Sequence, residues 1–165
     1  MSIKTSYLIE LERETENTRR VLERIPNDKL DWQPHEKSMS LGALASHVVE
    51  LHGWISLGLS KEVFDLNTDY RPLKTSSVEE LQEILAVGLK ANREFIEALE
   101  EEDWFKEWVF KAGDYELARL PRAGAVRFII TNHLIHHRGQ LTVYLRLLDL
   151  PVPGLFGPSA DDRMG

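Results

Sequence analysis

The chain of 165 residues is 42% hydrophobic and 28% charged and contains no cysteine; this suits one globular domain with a real core, and excludes disulfides, thiolate metal ligands and a cysteine nucleophile. Its 20 Lys plus Arg against 27 Asp plus Glu give a formal charge of -7, and no basic run interleaves with aromatics, so nucleic acid is not an expected partner. The acidic opening MSIKTSYLIELERETE lacks the apolar stretch of a signal peptide, which predicts a cytoplasmic protein, and the longest nearly uncharged segment, residues 38–60, carries His47, Glu50 and His52 and reads as a buried helix, so no membrane association is expected.

A first helix is predicted over residues 3–24, where Leu8, Leu11, Thr18, Leu22 and Ile25 recur at helical spacing until Pro26-Asn27-Asp28 ends it. Ser40 is an N-cap for a second helix over residues 41–59, whose apolar stripe uses Leu44, Val48, Leu51, Trp54 and Ile55 and includes His47. A third opens on the capping-box pattern Ser77-Val78-Glu79-Glu80 and continues through Leu81, Leu85, Phe95, Ile96 and Leu99. Residues 103–120, with Trp104, Trp108 and Phe110 around Gly113-Asp114, suit either a short strand-like turn or an extra helical turn. The fourth and longest helix begins near Pro121 and runs through Val126, Ile129, Ile130, Leu141, Tyr144 and Leu148 to Pro151. All three connections exceed the usual bundle loop, so crossovers are expected, and the Pro/Gly-rich tail, residues 151–165, is expected to be extended and to fold back over the helices.

Within the fourth helix, His133 and His137 lie four residues apart and share a face, with Cβ atoms about 6 Å apart. That face is also apolar, because Val126, Ile129, Ile130 and Tyr144 fall at neighbouring angles. A histidine pair at this spacing is by itself no more than two core histidines satisfied by hydrogen bonds. Adding His47 from the core stripe of another helix leaves several inward ring nitrogens without partners, and one shared metal ion satisfies them together. His47, His133 and His137 are therefore the predicted metal ligands. His136 diverges by about 100 degrees and reads as supporting, while His52 and His35 read as solvated or structural. Leu134 follows His133, so the glutamate of an H-E-x-x-H protease motif is missing. Three neutral imidazoles suit zinc, nickel, copper or iron(II), leave coordination positions open, and would acidify a water or an incoming thiol. Glu50, Asn132, Gln140, Asp161 and Asp162 are candidates to orient ligands or shuttle protons.

The Ser40-initiated helix with its internal histidine, the segment N-H-x-x-H-H-R-G-Q at residues 132–140 and V-P-G-L-F-G-P-S-A-D at residues 152–161 resemble the DinB/YfiT-like superfamily over almost the whole chain. The resemblance implies an all-α four-helix bundle of up-down-down-up topology with long connections, and one divalent ion, zinc or nickel most often, on His47, His133 and His137. Members include metal-dependent thiol S-transferases and thiol-dependent isomerases, and others described as damage-inducible proteins or hydrolases. The leading expectation is a metal-dependent transferase that passes a low-molecular-weight thiol to an electrophilic small molecule. The alternatives are a hydrolase drawing hydroxide from the same metal and a non-catalytic stress protein with a structural metal. A homodimer is the candidate assembly, and no catalytic side chain is assigned.

Overall fold

The computed structural model of the chain describes residues 2–162. Ser2 caps α1 (Ile3–Leu22) by accepting from the Thr5 N–H at 3.1 Å, and the helix buries Tyr7, Leu11, Thr18, Val21 and Leu22. Ser40 caps α2 (Leu41–Leu57) through the Ala43 N–H at 3.2 Å. A single turn, α3 (Leu66–Asp69), is capped by Asp65. Ser77 caps α4 (Val78–Ala98) through the Glu80 N–H, but the reciprocal half of the expected box is absent, because the Glu80 carboxylate accepts from Ser76 instead. The predicted fourth helix is three consecutive pieces: α5 (Arg122–Gly124), a π-helical segment (Ala125–Thr131) and α6 (Asn132–Leu147).

α1 and α2 each pack chiefly against α4 and α6, and touch one another little. Of the long helices that follow one another in sequence, α1 and α2 are thus not packed as a hairpin whereas α2 and α4 are close neighbours, an order that the long connections permit. Two polar contacts pin this arrangement inside the apolar core. His52 of α2, almost fully buried, lies with Nε2 at 2.8 Å from Thr15 Oγ1 of α1 and Nδ1 at 3.3 Å from Asn92 Nδ2 of α4. Asn92 can only donate there, so His52 is the neutral Nε2–H tautomer and donates to Thr15, whose hydroxyl donates onward to the Leu11 carbonyl at 2.7 Å. Gly88 makes room on α4: a Cβ there would lie 3.1 Å from His52 Nδ1. The second pin is Arg138 of α6, buried with 1% of its side chain exposed; it donates to the Glu14 carboxylate, the Glu14 carbonyl at 2.9 Å and Thr18 Oγ1 at 3.2 Å, all on α1.

The expectation of an all-α four-helix bundle is corrected by a three-stranded sheet of order β1-β2-β3 beside the helices. β1 (Val63–Asp65) runs parallel to β2 (Glu107–Ala112), and β2 runs antiparallel to β3 (Tyr115–Pro121). Residues 103–120 use both of the options their sequence allows: a 3-10 helix (Glu101–Phe105) buries Trp104, and a hairpin follows. Gly113 supplies φ 61 at the first position of the two-residue turn, the conformation a II′ hairpin needs. Trp108 and Phe110, two apart on β2, stack at 5.7 Å on one face, and Phe64 of β1 stacks on both at 6.3 and 6.1 Å. Trp108 Nε1 donates to the Gly58 carbonyl at 3.1 Å, tying the sheet to the end of α2.

The tail does fold back over α1 and α6. Asp162 pairs with Arg20 and accepts from the Gly154 N–H, Asp161 pairs with Arg146, and the Phe156 ring lies 5.7 Å from the Arg138 guanidinium carbon. The last three residues of the predicted tail lie outside the described residues. No helix among the described residues is long and apolar enough to cross a membrane.

Burial pushes His52 down from its usual 6.5 to about 4. As pH falls through that window the unfolded chain takes up a proton that the native state refuses, so stability present above 6.5 is progressively lost toward about 4. Denaturant titrations of metal-free protein should show this decline. His52→Ala should cost about 1–3 kcal/mol at neutral pH, because Asn92 loses the ring acceptor while keeping the His52 carbonyl, and Thr15 loses the ring donor, and should make the decline shallower by about one proton. A variant whose stability falls as steeply as that of the wild type would remove His52 as its source.

Candidate metal centre

α2 and α6 pack face to face, and that contact brings the three histidines together. His47 enters from the inward stripe of α2 with 17% of its side chain exposed. His133 and His137 enter from consecutive turns of α6. The ring centroid of His47 lies 5.2 Å from that of His133 and 4.9 Å from that of His137. One ligand atom from each ring lies within 4.8 Å of the other two, and the Nε2 atoms of His133 and His137 are 2.9 Å apart. Two imidazole lone pairs repel at that distance unless a proton or a cation lies between them.

The outer nitrogens define what the inner ones can do. His47 Nδ1 lies 2.9 Å from Glu50 Oε2, one turn along α2, and His137 Nδ1 lies 2.7 Å from Gln140 Oε1. Both partners are acceptors, so each Nδ1 carries the proton and each Nε2 keeps a lone pair directed at the cluster. His133 is hydrogen-bonded to the backbone of Ile129, one turn back. Burial first, and then the neighbouring His137, His47 and His136, push His133 down to about 4. Burial also lowers His137, against the opposing hydrogen bond to Gln140. The neutral ring, the only form able to ligate, is thus favoured on α6 at neutral pH.

A single ion with nitrogen bonds of about 2.0–2.1 Å in tetrahedral array needs donors about 3.3 Å apart. The 2.9 Å contact and the 4.8 Å limit bracket that spacing. Among the described residues the cluster is three histidines with no carboxylate, and it could hold one metal ion with positions left over.

Glu50 is the buried charge beside the cluster, with 8% of its side chain exposed. Burial pushes its carboxyl up, but hydrogen bonds from His47, from the Leu73 N–H and from the Tyr70 hydroxyl, the last at 2.7 Å, together hold it below the usual carboxylate range. Tyr70 is pushed up in turn, by burial and by Glu50. The connection between α2 and α4 therefore closes over the outer side of His47. Sequence reasoning singled out Glu50 and Gln140 but missed Tyr70 and Leu73, which lie in an aperiodic stretch about twenty residues from Glu50 with nothing local to mark them.

The remaining candidates are elsewhere engaged. Asp161 and Asp162 brace the tail, and Asn132 is exposed. His136 is also exposed, its ring 5.0 Å from that of His137. His35 sits in a loop and accepts from the Lys37 N–H at 3.1 Å. A further feature, also missed, is the π-helical segment directly ahead of His133: the Asn132 N–H reaches back five residues to the Arg127 carbonyl, and Thr131 Oγ1 donates to the Val126 carbonyl at 2.8 Å. Such turns recur at functional sites.

The sequence profile of the DinB family matches residues 1–162. Among curated proteins, the uncharacterized protein YrdA of Bacillus subtilis (strain 168) is 28% identical over 156 residues, covering 94% of this chain and 89% of that protein. A crystal structure of a DinB-like protein from Bacillus cereus ATCC 10987 is similar with a TM-score of 0.70 and 25% identity, over 91% of this chain and 95% of that one. A second DinB-like protein, YjoA of Bacillus subtilis, gives a TM-score of 0.65 at 20% identity over 86% of this chain and 91% of that one.

The hydrogen bonds on Glu50 generate a prediction for the outer side of His47. Glu50→Gln should weaken zinc or nickel binding by about tenfold or more, and Tyr70→Phe by a smaller factor, since outer partners of a metal-binding histidine typically carry 10–100-fold in affinity. Calorimetric titration of the metal-free variants measures both. Wild-type affinity in Glu50→Gln would show that Glu50 does not orient His47 for metal.

Proposed function

The chain belongs to the DinB family, and from that premise we propose that it is an enzyme in which His47, His133 and His137 hold one divalent ion, zinc or nickel, and a low-molecular-weight thiol is transferred to an electrophilic small molecule. The convergence of three neutral nitrogen donors without an anionic one carries this reading. Such a set leaves the charge of a bound dication uncompensated, and when bound the ion supplies the electrostatic stabilisation that favours the anionic form of a small thiol near neutral pH.

The residues of the chain prepare the site. Glu50 and Gln140 fix two rings by their Nδ1 protons, so the Nε2 lone pairs need no reorientation when the ion arrives. Glu50 is already fully engaged by three donors and is a positioning residue in this reading, not a base. In the transfer the thiol loses its proton to solvent water, its sulfur forms the new bond to the electrophilic carbon, and the leaving group departs with the bonding pair. The chain contains no cysteine, so the sulfur must come from the co-substrate.

Elemental analysis of protein purified without a histidine tag should find about one divalent ion per chain, most of it lost in His133→Ala and in His137→Ala. His47→Ala should lower affinity sharply yet barely change the stability of the metal-free protein, because Leu44, Leu51 and Trp54 keep α2 packed. Metal-reconstituted protein should then consume a generic electrophile only with a thiol such as bacillithiol, mycothiol or glutathione. Turnover that ignores thiol and instead hydrolyses esters would overturn the transferase reading, and undiminished metal in both α6 variants would overturn the site.

A further inference from the structure

Glu50 also lines a cavity of about 210 Å³, walled by Trp54, Phe64, Tyr70 and Leu73 and reaching Gly53 of α2. Glycine is the poorest residue after proline for the interior of a helix, and here it is not enforced by crowding. A Cβ at position 53 would meet nothing nearer than Leu57 Cδ1 at 3.9 Å, an ordinary contact. Position 53 could therefore carry a Cβ without a clash, and a longer side chain there would compete for the volume that Gly53 lines.

The chemistry of the walls selects what fits that volume. Trp54 meets the rings of Phe64 and Tyr70 edge-on at 5.0 and 5.5 Å, so the lining is rigid and aromatic. Its two carboxylates are already matched within the chain, Glu50 by His47, Tyr70 and the Leu73 N–H and Asp69 by Lys61 and the Asp65 N–H, while Arg71 is exposed and donates from one nitrogen to the carbonyls of Asn67 and Tyr70. A charged ligand would lose its hydration against the aromatic walls, and a cation would find both carboxylates already engaged. An apolar cavity of about 150 Å³ accommodates benzene, so this one has room for one or two fused rings.

We infer that this cavity is a binding site for a neutral, ring-sized aromatic molecule, and that its occupancy is coupled to the metal centre. Tyr70 and Leu73 are both cavity wall and donors to Glu50, which orients His47. A ligand packed against them favours the arrangement in which His47 presents Nε2, and linkage requires the benefit to be mutual. This second half rests on His47 being a metal ligand; the first half does not.

Indole is the probe. Calorimetry on metal-free protein should give saturable one-to-one binding, weakened at least tenfold in Gly53→Leu, which fills the cavity and should unfold no more easily than the wild type. Zinc should bind wild-type protein roughly fivefold tighter or more at saturating indole, and Gly53→Leu should lose that response. Absence of saturable binding, or binding indifferent to Gly53→Leu, overturns the site. A cavity that takes a side chain of a second copy would show instead as self-association reversed by Gly53→Leu without indole binding, and overturns it too. Indole binding with unchanged zinc affinity overturns the coupling alone.

Discussion

An imidazole offers two nitrogens, and the partner of the outer one decides the use of the inner one. In this chain Glu50 accepts from His47 and Gln140 accepts from His137, so protons are drawn to the periphery and lone pairs are left facing one another at the centre. Without an occupant, that centre concentrates electron density in a half-buried space where water screens it poorly. The cluster is thus a place where the fold holds ring lone pairs against one another, a repulsion that a cation could relieve. Everything that holds α2 against α6 also maintains that repulsion.

The holding is done partly by polar groups inside an apolar core, where geometry matters more than in hydrocarbon packing. The His52, Thr15 and Asn92 contacts join α2, α1 and α4, and Arg138 with Glu14 and Thr18 joins α6 to α1. Removing one partner of a buried pair strands the other, whereas leucine packing can slide. The two pins therefore specify where each helix sits along its neighbours, and so how near His47 comes to the α6 pair. The sheet contributes from outside: Phe64 supports Trp54, Trp54 supports Tyr70, and Tyr70 reaches Glu50. An element absent from the expected all-α bundle thereby backs the outer side of the three-histidine cluster.

What the sequence made legible follows from the range of the physics involved. Caps at Ser40 and Ser77 are decided within four residues, and the sharing of one face by His133 and His137 within one helical turn, so both can be read directly. The joining of His47 to that pair could be argued, because a stripe of buried side chains limits where a polar residue can point. β1 could not be read: Val63, Phe64 and Asp65 are too few to show a period, and they form a strand only because β2 offers edge hydrogen bonds about forty residues later. Tyr70 and Leu73 escaped for the same reason. His52 stayed ambiguous because its partners, Thr15 and Asn92, lie on two other helices. The family itself was legible from the α6 segment and the tail, whose residues make contacts that short-range spacing preserves.

The π-helical segment between Ala125 and Thr131 makes chain length a determinant of this site. A deletion of one residue there would yield an ordinary α-helix, sound by any local criterion, with His133 and His137 still one turn apart. It would nonetheless turn everything upstream by about 100 degrees relative to the pair. Arg122, whose Nε donates to the Leu59 carbonyl at 3.0 Å, could then keep its anchor only if the histidines swung away from His47. Insertions and deletions usually collect in loops. Here the middle of a helix is where a lineage could gain or lose the cluster in a single step, with none of the three histidines replaced.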